Sequence, residues 1–183
     1  MKKFILVALF VILVLPVSAQ TLNCGVEYTV NSVRQIAFDG IDYKLDKSTY
    51  IFPNEFDGNS SENKNALKNG YTLQDRELQE FSAKGIKAYA VTYKNNPHYT
   101  FIYLALTHSI IFVDIVGDDA NFPFKSVRYG NNGDLYSVWV NVSEHESFGY
   151  DKNKNLISHC KDNYCYGNSG KIIGTRKVVE SYD

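Results

Sequence analysis

The sequence predicts an α+β fold, mostly antiparallel β, with one amphipathic helix over about 73–84 packed on an antiparallel sheet and a C-terminal β-hairpin meander. Three observations carry this. β-branched and aromatic residues dominate a stretch of period two that runs from Lys87 to Val116. Leu73, Glu77, Leu78 and Phe81 recur at three- and four-residue spacing. Three segments between Tyr129 and Gly174 share one turn-like pattern.

The N-terminus sets the context for everything after it. Lys2 and Lys3 form a short positive region, Phe4 to Val17 an almost unbroken apolar run, and Val17-Ser18-Ala19 the small-x-small pattern of a cleavage site. Residues 1–19 therefore read as a signal peptide, and 20–183 as a single exported domain, secreted or periplasmic. A membrane anchor would need about 20 apolar residues, and this run is shorter and carries Pro16. Cys24 could mark a lipoprotein, but Thr21-Leu22-Asn23 before it are not the small residues that processing requires. Removing Lys2 and Lys3 leaves 17 basic against 20 acidic residues, a formal charge of −3. That balance gives nucleic acid no electrostatic reason to bind. No later run reaches membrane-spanning length, since Tyr99 to Val116 is interrupted by Thr107-His108-Ser109 and by Asp114.

Along the exported part, residues 20–116 divide into a hairpin, a helix and a sheet. Asp39-Gly40 is the dipeptide of a tight turn, and Ile36, Phe38, Ile41, Tyr43 and Leu45 alternate around it, which predicts a hairpin over Gln35–Leu45. Residues 53–70 are rich in Asn, Asp, Gly and Ser and read as a surface loop, with room for a helical turn over Glu62–Lys68. Thr72 and Asp75 resemble a capping box for the 73–84 helix, and Gly85 would stop it. Strands are expected over Lys87–Tyr93, Tyr99–Leu106 and Ile110–Val116. The middle one is apolar at nearly every position, as a strand covered on both faces would be.

Residues 126–180 are expected to form the hairpin repeats. Tyr129-Gly130-Asn131-Asn132-Gly133-Asp134-Leu135 matches Tyr150-Asp151-Lys152-Asn153-Lys154-Asn155-Leu156, and Tyr166-Gly167-Asn168-Ser169-Gly170-Lys171-Ile172 is a third copy. Over residues 128–175 the pattern Tyr-Asp/Gly-x-Asn-Gly-x-Leu/Ile resembles the tyrosine-aspartate hairpin repeats of secreted bacterial proteins. That resemblance implies an extended, exported β-sheet and transfers no active site. Only Tyr150-Asp151 keeps the Asp, and the copies are spaced at 21 and 16 residues.

Candidate chemistry is sparse. In an oxidising compartment, three cysteines allow one disulfide. Cys160 with Cys165 is the favoured pair because their ends cannot separate far, and Cys24 with either one is the alternative. A hydrolase would need a base with an orienting partner, and His108 with Asp114 or Asp118 is the pair the spacing offers. His145, between Glu144 and Glu146, reads as part of a charged loop. No metal site is expected. Asp151-x-Asn153-x-Asn155 begins like a calcium loop, but Leu156 stands where the sharp turn needs Gly. His159-Cys160 with Cys165 suits a disulfide better than zinc. No cofactor is implied. A binding face, if built from aromatics, would draw on Tyr129, Tyr136, Trp139, Tyr150, Tyr164 and Tyr166, whose rings suit a glycan or other cell-surface partner. The loop Gly117–Phe124 is a second candidate. The function expected is a non-catalytic structural, surface-associated or ligand-binding β-module, with an exported hydrolase as the alternative.

Overall fold

The computed structural model describes residues 28–46, 56–69, 73, 75–83, 85–117 and 121–175. Residues 1–19, Cys24, Thr72 and Asp118 lie outside them, so the predicted signal peptide and the alternative cysteine pairings are not placed. Two short helices, α1 (Val30–Phe38) and α2 (Ser61–Asn69), precede strands β1 (Arg76–Ala83), β2 (Ile86–Tyr93), β3 (Tyr99–Leu104), β4 (Ile110–Val116), β5 (Phe124–Gly130), β6 (Leu135–Asn141), β7 (Glu146–Asp151), β8 (Leu156–Lys161), β9 (Tyr164–Tyr166) and β10 (Ile172–Thr175). The ten strands form one sheet in sequence order, each antiparallel to the next.

Two sequence expectations are corrected. The hairpin expected over Gln35–Leu45 is instead the end of α1 followed by a turn. Thr29 caps that helix through a reciprocal capping box with Ser32, and Val33 and Ala37, four residues apart, are fully buried against the sheet. Gly40 takes a left-handed φ of 61°, just past the helix C-cap at Asp39 rather than between two strands. The helix expected over 73–84 is instead β1. Eight residues of it pair with β2, and Gly85 (φ 79°) makes the turn between them rather than stopping a helix. Local spacing favoured a helix, but pairing with β2 satisfies the backbone and puts Leu78 in the core. The helical turn expected at Glu62–Lys68 is present as α2.

Strand alternation gives the sheet two distinct faces. One carries Tyr89, Val91, Phe101, Tyr103, Val113, Val127, Tyr129, Val138, Val140, Phe148 and Tyr150, packed under Phe56, α2 and α1. Helix α1 lies on β6 and β7, and α2 on β1. The opposite face is also buried and mixes small and polar side chains, among them Ala88, Ala90, Thr92, Thr100, Asp114, Ser126, Arg128, Ser137, Ser147 and Ser158, with the larger apolar Ile102, Val116, Phe124 and Trp139. β3 is consequently buried on both sides, as its apolar run predicts.

The turns β5–β6, β7–β8 and β9–β10 share one geometry. In each, the first turn residue donates its N–H to a carbonyl four residues on and accepts from the residue three on: Gly130 with Asp134 and Gly133, Asp151 with Asn155 and Lys154, Gly167 with Lys171 and Gly170. The residue three on has positive φ each time, at 86° for Gly133, 69° for Lys154 and 72° for Gly170. A register shift follows each turn, leaving Tyr129 opposite Leu135, Tyr150 opposite Leu156 and Tyr166 opposite Ile172. Such a bulge matches the turn to the right-handed twist of the strands. The β3–β4 hairpin repeats the same placement, with Tyr103 opposite Ile110 after a register shift. Lys154 meets no glycine's freedom at its position, and Asp151 supplies the compensation. Although desolvation opposes its charge, hydrogen bonds from the Asn155 side chain and from the backbone N–H groups of Asn155 and Asn153 hold its carboxyl below the ordinary value.

Candidate functional site

The chemistry-bearing side chains fall on three parts of the sheet. The first is a cross-strand row on the polar face, in which Thr92, Thr100, Asp114, Arg128 and Ser137 are successive opposite neighbours. Thr92 and Thr100 share a hydroxyl hydrogen bond of 2.8 Å. Arg128 donates from Nε to Asp114 Oδ1 and from Nη2 to Asp114 Oδ2, both at 2.6 Å. The two side chains are 7% and 2% exposed, so this is a desolvated, bidentate pair. The guanidinium also lies 5.1 Å from the centre of the Phe112 ring.

That pairing corrects the expected His108–Asp114 contact. Both Asp114 oxygens are engaged by Arg128, while His108 sits in the β3–β4 turn with Nδ1 3.5 Å from Asp57 Oδ1, a partly exposed contact. His108 has a positive φ of 57°, and its carbonyl accepts from Phe56 N–H, which fits a turn role. Asp118 lies outside the described residues.

The second part is the helix-covered face, where the predicted binding tyrosines divide. Tyr129 and Tyr150 are buried, and their hydroxyls donate to the backbone carbonyls of Asp42 at 2.9 Å and Val30 at 2.8 Å. They fasten the N-terminal segment to the sheet. Burial pushes both phenols up to about 12. Trp139 is also buried, on the polar face. It lies flat on Gly149, where an added Cβ would come 2.6 Å from the indole, so the strand needs glycine there. None of these three rings is presented to a partner. Tyr136 is exposed and packs on Phe112, 4.8 Å between centres.

The third part is the face of β7 to β10 beyond α1. Phe148, His159, Tyr166 and Ile172 are successive opposite neighbours in one row, and Glu146, Lys161, Tyr164 and Thr175 in the next. His159 stacks on Phe148 (4.1 Å, 10° between planes), and its Nε2 lies 2.7 Å from Glu146 Oε1. Tyr164 is exposed and Tyr166 half-buried. The Cys160–Cys165 disulfide joins the two central strands, its Cα atoms 3.9 Å apart. It projects from the opposite face, between the pairs His159–Tyr166 and Lys161–Tyr164. Of the predicted site residues, the structure therefore brings together Tyr164, Tyr166 and the disulfide cysteines. It adds the His159–Glu146 contact, a pairing the sequence reading did not make although it weighed each residue in another role. Counting outward from the Asp151–Asn155 turn places His159 opposite Phe148 and diagonal to Glu146 only once the one-residue register shift between Gly149 and Tyr150 is allowed for.

A bridge closing so short a loop constrains the unfolded chain by about 2 kcal/mol. Mild reduction, or Cys160→Ser with Cys165→Ser, is expected to lower stability by that amount. Guanidinium unfolding with and without reductant would measure it, and identical midpoints would contradict a bridged native state.

Among the described residues, no group of three or more His, Cys, Asp or Glu could hold a metal ion. No helix among them is long and apolar enough to cross a membrane. Compared with known protein families, characterised proteins and solved structures, the chain matches none.

Proposed function

We propose that this chain is an exported, non-catalytic, surface-associated or ligand-binding module built on a C-terminal meander of repeated hairpins. The observation that carries the reading is how the candidate catalytic groups are spent. Asp114 is committed to Arg128 inside the fold and His108 to a turn. The exposed Tyr164 and the partly buried Tyr166 meanwhile share one face of β7 to β10 with His159, Glu146 and Lys161. The shared geometry of the Tyr129, Tyr150 and Tyr166 turns supports reading the C-terminal region as a repeat. The apolar start of the sequence and the Cys160–Cys165 bridge support export, because disulfides persist outside the cytosol.

Fractionation of cells expressing the full chain, with intact mass and N-terminal sequencing of the product, tests this reading. The expected product lies outside the cytoplasm, begins at Gln20 and has two fewer hydrogens than the fully reduced chain. A cytoplasmic product retaining residues 1–19 would refute export. The alternative of an exported hydrolase keeps one observation in its favour, the His159–Glu146 contact of 2.7 Å. If the secreted protein turns over ester or glycoside substrates and His159→Ala abolishes that turnover, the enzyme reading replaces this one.

A further inference from the structure

We infer that the open face of β7 to β10 binds an uncharged oligosaccharide, with Tyr164 and Tyr166 as stacking rings and the His159–Glu146 pair as a fixed hydrogen-bonding edge. The inference rests on the module reading above and names that module's ligand.

The first reason is a contrast between equivalent positions. Tyr103, Tyr129, Tyr150 and Tyr166 each stand just before a turn, opposite Ile110, Leu135, Leu156 and Ile172. The first three are buried under the N-terminal half of the chain, through Phe56, Asp42 and Val30. Tyr166 stays half open, and its neighbours Tyr164 and Ile172 are 48% and 59% exposed. A position that is fully covered in the other three hairpins is here only partly covered, and its neighbours Tyr164 and Ile172 are exposed.

Rigidity is the second reason. Tyr164 and Tyr166 lie two residues apart on one strand, so their attachment points are about 7 Å apart on one face. Cys165 between them is bridged to Cys160, which itself lies between His159 and Lys161. The bridge thus pins both tyrosines and the two residues opposite them from behind. His159 is held between Phe148 and Glu146. Groups already held in place lose little freedom when a ligand binds.

The third reason is charge. Glu146 contacts His159 and stands opposite Lys161, so among the described residues of this face one carboxylate is balanced by one ammonium group. Flat phenol rings fit the C–H faces of pyranose sugars, and a carboxylate, an imidazole and an ammonium group beside them can accept from and donate to hydroxyls. An apolar peptide interface would instead call for a continuous greasy core, which this alternation of rings and charges does not offer.

The test is retention of the secreted full chain on cellulose, chitin, xylan and starch, followed by calorimetry with the matching neutral oligosaccharides. Binding to at least one is expected, weakened roughly tenfold by Tyr164→Ala or Tyr166→Ala. Tyr164→Phe should keep the affinity within about threefold, because the ring remains. Tyr136→Ala, on the other face, should leave it unchanged. Melting curves of each variant establish that the sheet is intact. The inference fails if no polysaccharide retains the protein or if the folded alanine variants bind as the parent does. In each of these cases, an exported and intact chain would leave the module reading standing. A chain that remains cytoplasmic overturns that reading on its own.

Discussion

Replacing Arg128 by Met while leaving Asp114 in place is expected to destabilise the protein by about 3–5 kcal/mol, the cost of stranding a buried carboxylate. The pair makes two hydrogen bonds of 2.6 Å and is almost wholly out of water, so Asp114 has no solvent to fall back on. Urea unfolding midpoints would measure the loss. The double variant Asp114→Leu with Arg128→Met is expected to recover most of it, because removing both charges together also removes the desolvation cost. A single variant that loses less than about 1 kcal/mol would show that water reaches Asp114 in the native state. A double variant as unstable as the single would show that the pair itself, and not its desolvation, holds β4 to β5.

The same pair marks a boundary of what sequence can tell. Strands β2 to β8 were legible because alternation and turn chemistry agree there, most clearly at the polar turns that follow Tyr129 and Tyr150, where Gly133 and Lys154 take positive φ. Helix α1 was misread because Asp39-Gly40 is a stronger local signal than the Thr29–Ser32 cap and the Val33–Ala37 spacing that form the helix. Strand β1 was misread because Leu73, Glu77, Leu78 and Phe81 fit helical spacing, and only pairing with β2 decides otherwise. For the site, sequence could list six candidate rings but not say which would be covered. Tyr150 and Tyr166 occupy matching turns, yet one is fully buried and the other half open. The difference is set by where the N-terminal segment crosses the sheet, a long-range contact that local pattern does not encode. Asp114 and Arg128 were invisible as a pair for the same reason, since 14 residues and a strand register separate them.

Covering tyrosines with the N-terminal segment should also make the fold sensitive to alkali. Tyr129 and Tyr150 are raised from 10.0 to about 12 by burial, while Tyr103, beneath Phe56, is raised as well. A tyrosine whose folded pKa lies above its unfolded value holds its proton more tightly in the fold. Its stabilisation is complete below pH 10 and is lost as pH rises toward 12. Two units at about 1.4 kcal/mol each set an upper bound, and roughly 2 kcal/mol per ring is expected once local relaxation of the fold is allowed for. The two rings together should therefore take several kcal/mol from the protein across that window. The expected result is stability that is insensitive to pH just below 10 and falls steeply above it, with tyrosinate absorbance appearing together with loss of secondary structure. Tyr129→Phe with Tyr150→Phe is expected to cost about 1 kcal/mol per lost hydroxyl bond at neutral pH. It should also flatten the alkaline fall, because phenylalanine has no proton to lose. If the double variant falls as steeply as the parent, groups other than these two rings govern the alkaline transition. If tyrosinate forms at both positions while the sheet stays intact, the hydroxyls are not held by Asp42 and Val30 in solution.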